Sequence, residues 1–477
     1  MRRLLLAVAA GAIGILAVTQ IAPPPADAPA FGETDITVPE GAVASPSAWY
    51  CPWVAAGDVV DSDIVVASEP DVTVGYTLLD PVANADPSTA SAEIIGPGAA
   101  VLNTGSVLRV GETPAIVEIS NGPATVASMQ YADSFITADQ CLVSVPKIWY
   151  LTGGSTKTGT ITRLRLFNPF ADNAEVTITA YSEFNLDLVA ELDGLDVAGR
   201  DWTTIDFEPY LPFRDELAFT VTTTKGLVIP ALVRTDDRGE AMWPGVAPHD
   251  TWEFPVVSPG ELAPQIAVMS AGDEGVVVSV DIVTEDGTIR NAREVVLDSS
   301  TPALIPLADL AAPPFGARIR ATAPIAASAV ATVPEDDVEG GEGGDPSATT
   351  TTTTDDTTTT TEFVEETFIS GLAGTIGSAR PSSNWIVPVD SLPGADTTLW
   401  IMNSSSEPVS VSFGPLGEIE YSVLDLVQVP AESIVGIPVD VGIGIYGYIV
   451  EADRPVSVAW EIAGDRGVAL VAGVPTG

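Results

Sequence analysis

The chain has 477 residues, 46% of them hydrophobic, with Gly 42, Pro 39 and a formal net charge of −46 from Asp+Glu 65 against Lys+Arg 19. That length holds several hydrophobic cores, its apolar content sets aside a disordered chain, and its glycines and prolines predict many turns. So acidic a field repels phosphate, which argues against binding nucleic acid or anionic lipid surfaces.

At the amino terminus Arg2 and Arg3 precede an apolar run from Leu4 to Ile21, followed by APPPADAPA. A positive flank, an apolar core and small residues such as Ala28 and Ala30 before a cut describe a secretory signal. The run is also long enough to stay as a membrane anchor, and the positive flank directs the downstream chain outward in both cases. Residues 1–30 are therefore read as signal peptide or membrane anchor, with no choice between them. The protein is expected to be extracytoplasmic, secreted or anchored by this segment, with membrane contact only through it.

A tryptophan then recurs at about one small-domain length, roughly 100 residues. Trp49 lies in AWYCPW, Trp149 in KIWYLTGG, Trp252 in TWEFPVV and, after a longer interval, Trp385 in NWIVPVD. Large aromatics on strands are usually buried, so these markers are read as core rather than as sugar-stacking platforms. The only two cysteines, Cys51 and Cys141, bracket the first copy. In an exported chain they are expected to form a disulfide; two free thiols or a metal half-site are the alternatives.

Within each copy a short apolar strand ends at a small polar residue: IVVAS at Ser68, LRLFNP at Asn168, IAVMS at Ser270 and LWIMNS at Asn403. Such side chains fold onto the following amides and start a turn. A strand alternating with period two comes next, through Val176, Ile178 and Ala180, then Val278, Val280 and Ile282, then Val409, Val411 and Phe413. The first copy offers Ala90, Ala92 and Ile94. Later come AIVEISNGPATVAS, FTVTTTKGLVIPAL, RIRATAPIAASAV and YIVEADRPVSVAW, each read as strand, tight turn, strand. A final strand leads toward the next tryptophan.

The fold class predicted is all-β: four tandem antiparallel β-sandwich (Ig-like) units behind the amino-terminal segment. Their bounds are 31–146, 147–250, 251–383 and 384–477. The acidic, Thr-rich stretch 334–366 falls between ASAVATV and FISGLAG, and is expected to be a disordered loop thrust from the third unit rather than a linker. The units are expected to stand in an elongated row, each burying its own apolar faces and leaving no chemically equipped cavity.

The marker phrases, the Asn- or Ser-terminated strand and the export signal resemble an uncharacterised family of secreted actinobacterial proteins, known only as a domain of unknown function. WYCP with Cys141, and LFNP at Leu166 to Pro169, carry the resemblance. It implies an envelope or extracellular location and brings no catalytic residue.

The single histidine, His249 in VAPHDTW, would have to serve any Ser-His-Asp or Cys-His site, but no GxSxG elbow accompanies it. It is read as a polar loop residue. GGSTKTGT at Gly153 to Thr160 misses the phosphate-loop order. Glu335, Asp336, Asp337, Glu339, Glu342 and Asp345 lack the spacing of a calcium loop. Asn403-Ser404-Ser405 fits a glycosylation triplet, yet Asn403 is better explained as a turn former. No catalytic residue, cofactor or metal is assigned. The function expected is a non-enzymatic structural or interaction role at the cell envelope, with envelope proteins or glycans as partners. The alternatives are a carbohydrate-binding module array and a carboxylate-based extracellular hydrolase.

Overall fold

The computed structural model describes residues 47–333 and 371–476, apart from 58–59, 81–85, 109–110, 238, 261, 300, 391, 393, 418–423, 440 and 442–444. The leading segment 1–30 and the stretch 334–366 lie outside the described residues. What is described is all-β, in antiparallel sheets whose pairing order recurs four times.

The first set runs β1 (Ser47–Ala56), β2 (Asp61–Ser68), β3 (Val72–Leu78), β4 (Ser88–Ile94), β5 (Gly98–Asn103), β6 (Gly111–Ser120), β7 (Thr125–Tyr131) and β8 (Ile136–Gln140). One half is ordered β4-β3-β6-β1 and the other β5-β2-β7-β8. In the second set, β9 (Ile148–Gly154) closes β12-β11-β15-β9, from β11 (Ala174–Ser182), β12 (Asn185–Asp187) and β15 (Leu217–Lys225). There β13 (Leu195–Val197) also pairs with β11. Its other half is β14-β10-β16-β17, from β10 (Ile161–Asn168), β14 (Asp201–Asp206), β16 (Ile229–Asp236) and β17 (Gly239–Pro244).

The third set has β18 (His249–Phe254), β19 (Ala263–Ser270), β20 (Val276–Thr284), β21 (Gly287–Leu297), β22 (Pro302–Pro306), β23 (Gly316–Thr332) and β24 (Leu372–Ile376). The fourth has β25 (Ser382–Pro388), β26 (Ala395–Asn403), β27 (Val409–Gly417), β28 (Asp425–Val429), β29 (Ser433–Val439), β30 (Ile445–Gly464), β31 (Gly467–Ala472) and β32 (Val474–Pro475). They pair as β21-β20-β23-β18 with β22-β19-β23-β24, and as β28-β27-β30-β25 with β29-β26-β30-β31.

Alternation explains the strands. Val176, Ile178 and Ala180 point inward with Thr177 and Thr179 half-buried opposite. In the first set the inner faces of both halves share one core, as with Trp49, Ile64, Val74, Val117 and Val126, which makes the fold sandwich-like, while the cores of the second and third sets merge.

Two strand readings change. The first copy's alternating strand is β3, with Val72, Val74, Tyr76 and Leu78 buried, whereas Ala90, Ala92 and Ile94 lie on β4 at the sheet edge. The tight turn expected in every copy exists only in the first two, where Asn121 (φ 78) and Gly226 (φ 68) adopt the left-handed backbone a turn needs. Ala323-Pro324 and Arg454-Pro455 offer no such residue, so β23 and β30 run on unbroken and serve both halves.

The elongated row is also overturned. Strand β8 packs against β17 and β31, and β24 against the same two, so the last strands of the four sets meet in a closed cycle. The cause is legible in β24 and β31, LAGTI and GVALVA, every residue of which is buried. A strand apolar on both faces cannot sit at an open edge and must be covered on each side.

Candidate functional site

The recurring residues are interior. The four marker tryptophans are at most 7% exposed. Trp149, Trp252 and Trp385 donate their indole N–H to the backbone carbonyls of Val228, Ile325 and Val456, at 3.0, 2.9 and 3.1 Å. Trp49 lacks such an acceptor, although its indole nitrogen is buried. Asn168 donates to the carbonyls of Asp172 and Val197 and accepts from the Phe170 amide. Asn403 donates to the carbonyls of Glu407, Val429 and Pro430 and accepts from Ser405. Both asparagines are fully buried. Cys51 and Cys141 form a disulfide spanning 90 residues, tying β1 to the chain just beyond β8.

His249 opens β18, where it pairs with Ile325, so it is a strand residue and not part of a loop. Its ring stands edge-on to Trp252 at 5.4 Å. Burial and the Arg380 charge hold its pKa below the usual imidazole value, against the opposing pull of Asp250.

What differs between copies gathers at the seams. Three residues in register across the strands bordering each marker strand form one row per copy. The rows are Tyr50–Ile116–Thr77, Tyr150–Thr220–Thr179 and Ile386–Ile449–Gly414 in the first, second and fourth copies. In the third copy the same row is Glu253–Arg318–Asp281. In the first and fourth copies the uncharged row meets a neighbouring copy. Tyr50 lies 6.0 Å from the Phe170 ring, and Ile386 and Ile449 pack on Ala67 and Ala99. Only the third copy turns this contact into a row of charge.

A cleft of about 210 Å³ opens there, bordered by Asp281, Val283, Thr288, Arg290, Arg318 and Arg320 of the third set and by Ser404 and Glu432 of the fourth. Arg320 grips Asp281 through Nε at 3.1 Å and Nη2 at 2.8 Å, and Nη2 also reaches Asn291 Oδ1 at 3.0 Å. Arg318 Nε lies 3.4 Å from Glu253 Oε1, off hydrogen-bond geometry, while Ser457 donates to Glu253 Oε2 at 2.6 Å. Arg290 pairs with the Glu432 carboxylate, whose backbone carbonyl accepts from the Thr288 hydroxyl at 2.7 Å. Against the expectation of no chemically equipped cavity, this open cleft is lined by charged side chains. No residue of the cleft was singled out from sequence. The signal was RIR in β23, two arginines at positions where other copies carry Ile, Thr or Glu.

Two further seams hold buried polar groups. Between the first and second sets, Arg165 lies 3.5 Å above the Trp53 ring and pairs with Glu112 at 2.6 Å, and burial lowers its pKa to about 10. Where the fourth set meets the first, burial and the Asp390 charge raise Asp63 to about 6, against hydrogen bonds from Asn103 and Tyr131. No group of three or more His, Cys, Asp or Glu that could hold a metal ion occurs among the described residues.

The model of the family described as Family of unknown function (DUF5719) matches residues 126–367, just over half of the chain and including Glu253, Asp281, Arg290, Arg318 and Arg320. No curated protein matches the chain.

Proposed function

The chain belongs to the family of unknown function DUF5719, and from that premise we propose a non-enzymatic structural or interaction role outside the cytoplasm, at the cell envelope or cell surface. One observation carries the role. The residues that recur in every copy, the tryptophans and the strand-ending Asn or Ser, point into the core or close turns. Repetition therefore serves the scaffold, and whatever the protein recognises falls to residues that differ between copies.

On this reading the recurring sheet pairs are four copies of one Ig-like β-sandwich, bounded at 31–146, 147–250, 251–383 and 384–477. The common register of the four tryptophans with Val117, Val221, Ile319 and Val450 supports it. The disulfide that uses both cysteines supports an oxidising compartment, as does the apolar leader, with residues 1–30 acting as signal or anchor. Fractionation with mass spectrometry of the mature chain tests the location. A reduced, full-length chain in the cytoplasm would refute it.

A carbohydrate-binding role stays as the second reading, on other residues than the buried tryptophans. Phe184 and Phe213 are exposed at 70% and 73%, and Arg214 lies 5.2 Å from the Phe184 ring. Glycan pulldown with Phe184→Ala and Phe213→Ala separates the two readings. Release of reducing sugar from a cell-wall glycan by the purified protein would favour the carboxylate-based hydrolase instead.

A further inference from the structure

We infer that the cleft between the third and fourth sheet sets is a binding site for a small organic carboxylate, held by Arg290, Arg318 and Arg320. This rests on the interaction role above and names its ligand class.

The repeat supplies the control. In the first and fourth copies the equivalent row meets its neighbour without charge, although Glu112 and Arg165 pair elsewhere in the first of these seams, so the blueprint does not require charge at this row. Placing Glu253, Arg318 and Asp281 in the contact costs desolvation that apolar side chains avoid, and well-packed apolar replacements of such groups are often as stable or more so. The position of Arg320 is the sharpest case. Its counterparts, in register beside the marker partner, are Glu118, Thr222 and Glu451. Two of the other copies carry the opposite charge where the third carries a guanidinium.

The chain has 19 lysines and arginines against 65 acids, and three of those cations border one cleft. Each has a carboxylate at its back or flank: Glu253 for Arg318, Asp281 for Arg320 and Glu432 for Arg290. Asp281 fixes the guanidinium plane of Arg320 by a two-point grip, and none of the three acids occupies all the donors of its arginine. Among the described residues, both Nη groups of Arg318, Nη1 of Arg320, and Nε and Nη1 of Arg290 have no hydrogen-bond partner. The arginine side chains are 34%, 43% and 66% exposed for Arg318, Arg320 and Arg290, so the donors are within reach of a ligand.

A planar fork of N–H donors matches a carboxylate with two parallel bonds, as Arg320 already does with Asp281. The cleft is smaller than the roughly 300 Å³ at which drug-sized pockets begin. It suits an acid of sugar-acid size or less, whose hydroxyls would meet the Ser404 and Thr288 side of the cleft.

Calorimetric titration of the full chain with acetate, citrate and D-glucuronate, alongside D-glucose and sulfate, tests the site. At least one of the three carboxylates is expected to bind saturably below about 10 mM, with glucose silent and sulfate weaker. Arg318→Gln and Arg290→Gln should each weaken that binding at least about tenfold, equivalent to about 1.4 kcal/mol. Arg290 is the most exposed of the three, so its variant should keep the parent melting temperature and report binding alone. The site is overturned if none of the three binds, if both variants bind as well as the parent, or if sulfate binds as tightly. Those results leave the scaffold role standing, because that role rests on the buried recurring residues. Chemical conversion of a bound carboxylate, read by mass spectrometry, would instead overturn the non-enzymatic reading while supporting the site.

Discussion

Trp149 both fills the core and supplies the hydrogen that the Val228 carbonyl needs, whereas the equivalent Trp49 has a buried N–H with no acceptor. Replacing each by phenylalanine separates the two contributions. Trp149→Phe strands a buried carbonyl and should cost about 1–3 kcal/mol beyond the packing loss, and Trp49→Phe should lack that increment. Equal shifts in denaturant midpoint would contradict this. Asp63 gives a pH signature. Its folded pKa, about 6, lies above its ordinary value of 3.8, because burial and Asp390 disfavour the charge more than Asn103 and Tyr131 favour it, with Asp61 adding a smaller repulsion. A raised carboxyl pKa means the folded state holds the proton longer. The group is therefore neutral and harmless at low pH, becomes destabilising as pH rises from about 4 to about 6, and stays so above that. Asp63→Asn should raise stability at neutral pH, by at most on the order of 2–3 kcal/mol, and should flatten that part of the melting profile. A variant no more stable at pH 7 than the parent would sink the assignment.

At the level of elements, one pairing order is reached in two ways. A residue with positive φ at Asn121 or Gly226 breaks the chain into two strands, and its absence leaves β23 and β30 whole. The sequence motifs were alike enough to be read as one turn, and backbone stereochemistry separated them. The Cys51–Cys141 bridge clamps the two ends of the first copy. Replacing both cysteines by alanine should cost about 2–5 kcal/mol, read as a lower denaturant midpoint, with little effect on the pairing of the other sets. Asn403 belongs here too. Its amide donates to three carbonyls, so Asn403→Ala should destabilise by about 1–3 kcal/mol, and the folded chain should carry no sugar at that triplet. Mass spectrometry of the tryptic peptide reads the second point directly.

For the molecule as a whole, the closed cycle of β8, β17, β24 and β31 changes how it should unfold. Repeats in an open row unfold in neighbour-coupled stages. In a cycle, losing one set uncovers two others. Removing residues 384–477 would bare Met129, Ile136 and Ala138, which pack in one core with Trp385 and Val458, together with Ala67 and Ala99. Calorimetry of the full chain should therefore give one cooperative transition, and the truncated chain should aggregate or melt far lower. Four resolved transitions would refute the coupling.

The all-β class, the cysteine pair and the inward-facing tryptophans were all legible in the order of the residues. Each of these follows from spacing, alternation or residue chemistry, and all act over short stretches of chain. Closure into a cycle and the arginine cleft emerged only in three dimensions. The cleft joins Arg290, Arg318 and Arg320 to Glu432 across more than a hundred residues, and no local pattern records which outer face will meet which neighbour. Only once tertiary register aligned the copies residue by residue did Glu253–Arg318–Asp281 stand out as charge where the fold asks for none.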